Sequence, residues 1–189
     1  MAGAFTEKYK ELQSAPEDVW VESGTYHGHG VLNALRYGFK ELHTIEVSPA
    51  RFAELYYRNP ELCRDPRIHR YLGSSRDLLR PIIEKLTDRN VVFWLDGHYQ
   101  GESKEERDAV SECPILAELQ AIADQPWKRS VLVCIDDWNL FTDNWWENGT
   151  GQEKFTESDW PRESQLAEIM QGWRTHCEDH ILYFQRDFA

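Results

Sequence analysis

The sequence predicts a single α/β domain built on a doubly wound, mostly parallel sheet with helices on both faces. Three observations carry this expectation. Apolar runs such as VWVES, VVFWL and VLVCI alternate with segments of helical periodicity from Val19 onward, and short runs of this kind read as strands buried on both faces. Strands that alternate with helices imply crossover connections and hence parallel pairing. The length of 189 residues suffices for one complete sheet-and-helix core.

The elements follow in order. VWVES (19–23) is the first strand and VLNALRYGF (31–39) the first helix. HTIEV (43–47) is the second strand; Ser48 then serves as an N-cap and Pro49 as the first helical residue, so that ARFAELYYRN (50–59) continues as a helix. IHRYLG (68–73) is a strand, after which Ser74 or Ser75 caps RDLLRPIIEKL (76–86). VVFWLDG (91–97) is a strongly apolar strand, and Pro114 opens the helix PILAELQAIADQ. SVLVCIDDW (130–138) is a further strand, ESQLAEIMQGW (163–173) a helix, and HILYFQRDF (180–188) an antiparallel closing strand. Two segments interrupt the alternation, 98–113 and 141–160. Each follows the C-terminal end of a strand, where open α/β sheets bind ligands, so they are the expected acceptor side of residues 1–189.

Composition excludes several classes. A net charge of −12 and a pI near 5.0 repel polyphosphate and anionic lipid. The arginines are interspersed with acids and form no basic patch, so no nucleic-acid partner is expected. Cys63, Cys113, Cys134 and Cys177 show no CxxC pair, and Cys134 lies within VLVCI as a small hydrophobe. The N-terminal MAGAFTEKYKELQ has no apolar core, and the longest apolar runs are too short to span a bilayer. The expectation is a reduced, cytoplasmic setting without membrane insertion, with Asn148-Gly149-Thr150 as an ordinary turn. Homo-oligomerisation is left open.

The turn ESGTYHGHG carries three glycines in seven positions between strand and helix. Such a turn lets backbone N–H groups approach a ligand, with a helix N-terminus behind them; read blandly, it is a tight connection that holds nothing. Glu22 ends the first strand and Glu46 the second, where a carboxylate accepts both hydroxyls of a ribose. The spacing Gly24-x-x-x-Gly28-x-Gly30 also matches nicotinamide-dependent short-chain dehydrogenases. That reading requires Tyr-x-x-x-Lys, which is absent from the sequence. An acid at Glu22 suits a cationic cofactor better than a pyrophosphate, and S-adenosylmethionine is such a cofactor.

ESGTYHGHG, TIEVSP, YLGSS, FWLDGHY and VLVCIDDW, in this order, resemble the successive signature segments of class I S-adenosylmethionine-dependent methyltransferases. Within that class the chain is most similar to the small sugar- and glycan-modifying O-methyltransferases. The resemblance implies that Glu22, Gly24, Thr25, Tyr26 and Gly28 line the methionine side of the cofactor. Glu46 would hold the ribose, Val47 and Ser48 would flank the adenosine, and Ser74 and Ser75 would lie near adenine. Asp96 would meet both cofactor and acceptor. His27 and His29 depart from the pattern and are expected to be exposed turn residues.

Asp96 ends one strand, and Asp136 with Asp137 ends the strand expected beside it. Neighbouring strands lie about 5 Å apart, so these carboxylates can converge, and a divalent cation, Mg²⁺ or Mn²⁺, would relieve their repulsion. The resemblance agrees, since sugar O-methyltransferases with this arrangement use such a metal. The bland alternative makes Asp136 or Asp137 a cap or an ion-pair partner. His98 is the candidate general base, or else a loop or supporting histidine. His176 and His180 are four apart, yet no third zinc ligand accompanies them. Trp138, Trp145, Trp146 and Trp160 are candidate stacking faces for a sugar. The expected activity is metal-assisted O-methyl transfer to a sugar or glycoconjugate; the rival is a catalytically silent cofactor-binding module.

Overall fold

The computed structural model describes residues 18–98, 113–138, 141, 160–178 and 180–187. Its elements are β1 (Val19–Ser23), α1 (His29–Tyr37), β2 (Glu41–Glu46), α2 (Pro49–Arg58), α3 (Pro60–Arg64), β3 (Ile68–Leu72) and α4 (Ser75–Ile83). They continue as β4 (Val91–Leu95), α5 (Ile115–Ala123), β5 (Val131–Ile135), α6 (Glu163–Ile169), β6 (Arg174–Glu178) and β7 (Ile181–Arg186). The sheet has seven strands in the order β3-β2-β1-β4-β5-β7-β6. β1 to β5 pair in parallel, and β7 pairs antiparallel to both β5 and β6.

Period-two alternation divides the core between the two faces of the sheet. Val19, Val21, Phe93, Val133 and Phe184 pack with Leu79 and Ile83 of α4, Leu119 of α5 and Leu166 of α6. Trp20, Leu42, Trp94, Leu132 and Tyr183 face the other way, in the cluster that includes Val31 of α1, Leu55 of α2 and Leu62 of α3. Local signals operate where they were expected. Ser48 Oγ accepts from the Arg51 N–H with Pro49 at the first helical position, and of the two candidate serines Ser74 caps α4, accepting from the Arg76 N–H.

Two elements differ from the sequence expectation. Pro60 opens a separate turn of helix, α3, after Asn59 ends α2. The closing strand is half of a hairpin: His176 lies in β6, and His180 occupies the turn with φ of +65°. β6 is mostly exposed, so no apolar alternation marks it. Among the described residues no helix is long and apolar enough to cross a membrane.

The winding reverses between β1 and β4. From β1 the chain runs outward to β2 and β3, then returns to β4 on the other side. In open sheets of this kind the crevice forms beyond the carboxyl ends of the two strands at the reversal. The glycine turn leaves β1 at that end, and Asp96 leaves β4 there.

Candidate functional site

The turn after β1 is fixed by its own protein neighbours. Gly24 has φ of +82°, and a Cβ there would lie 2.2 Å from the Asp96 carbonyl oxygen, so glycine is required for the β1 and β4 ends to touch. A Cβ on Gly30 would sit 2.2 Å from Glu22 Oε2, and one on Gly28 would meet the side chain of Leu55 at 2.8 Å. The three glycines therefore permit packing of the turn on the fold. Gly28 is the N-cap of α1 and supplies no side-chain cap, so the first-turn N–H groups of that helix are not capped from within.

Glu22, expected to line the methionine side of a cofactor, is enclosed by the protein. It is 1% exposed, lying beneath the turn, where Oε2 accepts from Trp20 Nε1 at 3.0 Å and Oε1 from the Thr44 hydroxyl at 2.6 Å. The Thr25 hydroxyl is hydrogen-bonded to that of Thr44, so Thr25 is also part of this buried network. Burial pushes the Glu22 carboxyl up to about 7 against the two hydrogen bonds. Its hydrogen bonds to Trp20 and Thr44 fix it beneath the turn.

Glu46 grips the turn from β2. Oε2 accepts from the Tyr26 N–H at 2.8 Å and Oε1 from the Ser48 N–H at 2.9 Å. Tyr26 adopts φ of +45° and is exposed, with the Arg51 guanidinium 4.5 Å above its ring. His29 is exposed as expected, whereas His27 is half-buried. Ser48 is fully buried and Val47 half-buried. Ser75 is buried facing Glu118, with Ser74 at the cap of α4.

The parallel register places Leu95 of β4 opposite Ile135 of β5, so Asp96 and Asp136 leave the sheet side by side. The side chains that converge most closely are Asp96, His98 and Asp137, each offering one ligand atom within 4.8 Å of the others. His98 Nε2 lies 3.2 Å from Asp137 Oδ2 and 3.8 Å from Asp96 Oδ1. Asp136 is outside this group: its Oδ1 accepts the Asp137 N–H at 2.9 Å, the cap-like role weighed above. Asp137 has φ of +52°, which turns its side chain back toward the histidine.

The electrostatics are strongly coupled. Burial pushes Asp96 up to about 7, with His98 opposing and Asp136 and Asp137 adding to the rise. Asp136 is raised, chiefly by burial, and Asp137 is lowered by its hydrogen bond to His98. Burial works to lower His98, but Asp137, Asp96 and Asp136 outweigh it and raise the imidazole. The three carboxylates thus favour the charged form of the imidazole, and a protonated His98 would have to lose that proton before acting as a base.

Aromatic walls enclose this histidine, with Trp160 at 5.2 Å and Phe141 at 6.1 Å between ring centroids. Trp160 belongs to the core rather than to an open sugar platform, and Trp138 is partly buried against the core. Trp145 and Trp146 lie outside the described residues, as does most of both acceptor-side segments. Behind Asp96 and Gly97 lies Glu118 of α5, 1% exposed, facing Ser75 and Ser23 and raised by burial. The sequence reading overlooked it. Its signal was a carboxylate three residues after Ile115 and one before Leu119, on the apolar side of the helix.

No family model and no curated protein matches the chain. Solved structures do. The PH0226 protein from Pyrococcus horikoshii OT3 aligns over 100% of this chain and 89% of its own with a TM-score of 0.59 and 9% identity. The Podospora anserina methyltransferase PaMTH1, crystallised with S-adenosylhomocysteine, aligns over 90% and 72% with a TM-score of 0.55 and 14% identity. The fold is the class I methyltransferase fold. A third neighbour with it is the geranyl diphosphate C-methyltransferase of Streptomyces coelicolor A3(2), crystallised with Mg²⁺, at a TM-score of 0.54 and 11% identity over 94% of this chain and 76% of that one.

In the methyltransferase fold of this chain, the turn at Gly24, the Glu46 carboxylate and the Asp96–His98–Asp137 cluster all lie at the carboxyl ends of β1, β2, β4 and β5. His180, in the β6–β7 turn, lies beside that edge, its carbonyl accepting from the Trp138 N–H at 2.8 Å, whereas His176 lies on β6. Among the described residues neither joins a group of three metal-ligating side chains.

Proposed function

We propose that this chain is an S-adenosylmethionine-dependent O-methyltransferase, assisted by a divalent cation and acting on a hydroxyl of a sugar or glycan. The observation that carries the reading is the contact between the glycine turn and the acid cluster. Gly24 meets the Asp96 backbone, so a cofactor seated on the turn would present its methyl group to the tips of β4 and β5. The coarser methyltransferase assignment is supported by the fold. The finer sugar assignment is supported by the FWLDGHY and IDDW segments and by the aromatic-rich 141–160 segment.

The donor set fits a divalent cation. Two carboxylates converge beside the His98 imidazole, and their oxygen donors suit Mg²⁺ or Mn²⁺. Asp96 and Asp137 would hold it, with Asp136 steadying Asp137 through its N–H. When bound, the cofactor supplies the electrophilic methyl group and the cation supplies acidity to a coordinated hydroxyl. Glu46, at the end of β2, accepts the ribose hydroxyls, and Val47, Ser74 and Ser75 flank the adenosine. Asp96 and Asp137 orient the acceptor hydroxyls, and His98, once deprotonated at Nε2, takes the proton of the attacking oxygen. The chain acts as one domain, with segments 98–113 and 141–160 on the acceptor side.

The test is transfer of labelled methyl from S-adenosylmethionine to a panel of sugars and glycans, with EDTA and with Mn²⁺ restored. Transfer that falls at least a hundredfold in EDTA and returns with Mn²⁺ is expected, and Asp137→Ala should not be rescued. Undiminished turnover in EDTA would remove the cation from the mechanism. Cofactor binding without transfer to any acceptor would favour the silent binding module.

A further inference from the structure

A second cluster of ligating side chains lies at the opposite end of the sheet. Glu41, His43 and His69 each bring one ligand atom within 4.8 Å of the other two. Glu41 and His43 are two residues apart on one face of β2, and the parallel register sets His69 of β3 directly opposite His43. Glu41 begins the strand that Glu46 ends, a run of about 16 Å at 3.3 Å per residue. The cluster is therefore separate from the methyl-transfer cleft.

We propose that Glu41, His43 and His69 form a divalent transition-metal site of the Zn²⁺ type, which clamps the outer strand β3 to β2. His43 Nε2 and Glu41 Oε1 are 3.1 Å apart. Two ligands on one tetrahedral ion, each at about 2.0–2.1 Å, are themselves about 3.3 Å apart. The backs of His43 and Glu41 are already held. Tyr71 Oη lies 3.0 Å from His43 Nδ1, and Arg89 Nη1 donates to Glu41 Oε2 at 3.2 Å. A metal-ligating histidine is oriented by such a partner on its other nitrogen. His69 is the exposed member, with its ring stacked 4.8 Å from that of His43, so an ion has an open route of entry.

The surroundings select the class of ion. Arg89 on Glu41 and the positive charge of Lys85 toward His43 disfavour a hard ion held mainly by charge, such as Mg²⁺ or Ca²⁺. Two imidazoles and one carboxylate instead suit Zn²⁺, Co²⁺ or Ni²⁺. β3 gains most from the clamp, because it is the outermost strand on its side and only half-buried. Without an ion, His43 bridges Glu41 and Tyr71, and the His69 side chain joins the two strands through its stacking on His43.

The experiment uses the full chain, stripped with EDTA and carrying Asp137→Asn to weaken the cleft cluster. Co²⁺ is titrated by its visible absorption and Zn²⁺ by thermal melting. One equivalent of Co²⁺ is expected, and Zn²⁺ at a hundredfold excess over Kd should raise Tm by about 5 °C. Adding His69→Ala, a change at an exposed position, should weaken Co²⁺ binding at least tenfold and abolish the Tm shift. Tyr71→Phe should weaken it by about tenfold. Absence of Co²⁺ binding in the Asp137→Asn chain, or less than tenfold weakening by His69→Ala, would overturn the proposal. Methyl transfer is not a readout here, so the outcome is independent of the cleft's function.

Discussion

Glu22 and His98 show how burial changes what a charged residue contributes. In the unfolded chain Glu22 titrates near 4.5; in the fold, burial takes it to about 7. The folded protein therefore holds an extra proton between these values, and the stability linked to it, complete below about 4.5, is lost as pH rises through 7. The loss is roughly 3 kcal/mol. Urea unfolding between pH 4.5 and 8 should show a decline in the wild type that Glu22→Gln makes shallower by about that amount. An unchanged slope would mean that Glu22 is ionised throughout. His98 responds in the opposite sense to its burial because three carboxylates face it. In EDTA-treated protein its imidazole should titrate above 6.5 by NMR, and Asp137→Asn, which removes the nearest negative charge, should bring it down.

At the scale of elements, the glycine turn makes the sharpest stability prediction. Gly24→Ala would drive a methyl group into the Asp96 carbonyl at a positive φ, and should cost about 3 kcal/mol or more in urea unfolding. Gly38→Ala is the control. Gly38 shares a positive φ of +93° but has no atom within 4 Å of a built Cβ, so its cost should be about 1 kcal/mol. Equal costs at the two positions would show that the β1 turn does not pack against β4 as described. These elements were legible to unequal degrees. Buried strands and their caps were visible because VVFWL and VLVCI are apolar throughout, VWVES is apolar through Val21, and Ser48-Pro49 is a local signal. β6 was not, because RTHCE packs on one strand only and is mostly exposed. Asp96 and Asp136 could be paired from strand order alone. Which acid turns toward His98 depends on the positive φ of Asp137, and the burial of Glu22 depends on Gly30 admitting its carboxylate; neither is a periodic signal. Glu41, His43 and His69 are brought together only by register between strands.

At the scale of the molecule, a chain of net charge −12 concentrates acids at one edge of its sheet. Sequence reasoning assigned their neutralisation to a cationic cofactor and a metal ion. The fold supplies two further devices: the Glu46 carboxylate accepts from two backbone N–H groups, and the His98 imidazole, its pKa raised, sits between Asp96 and Asp137. The edge is thereby tolerable before any ligand arrives, and its recognition chemistry is preorganised. The class I methyltransferase fold brings the glycine turn and the acids to one crevice, and the proposed function stands on that crevice accepting S-adenosylmethionine. Calorimetric titration of the folded chain with S-adenosylmethionine, beside NAD, tests this most directly. One site for S-adenosylmethionine, no heat from NAD, and at least tenfold weaker binding by Glu46→Ala are predicted. Failure to bind S-adenosylmethionine, or tighter binding of NAD, would contradict the account.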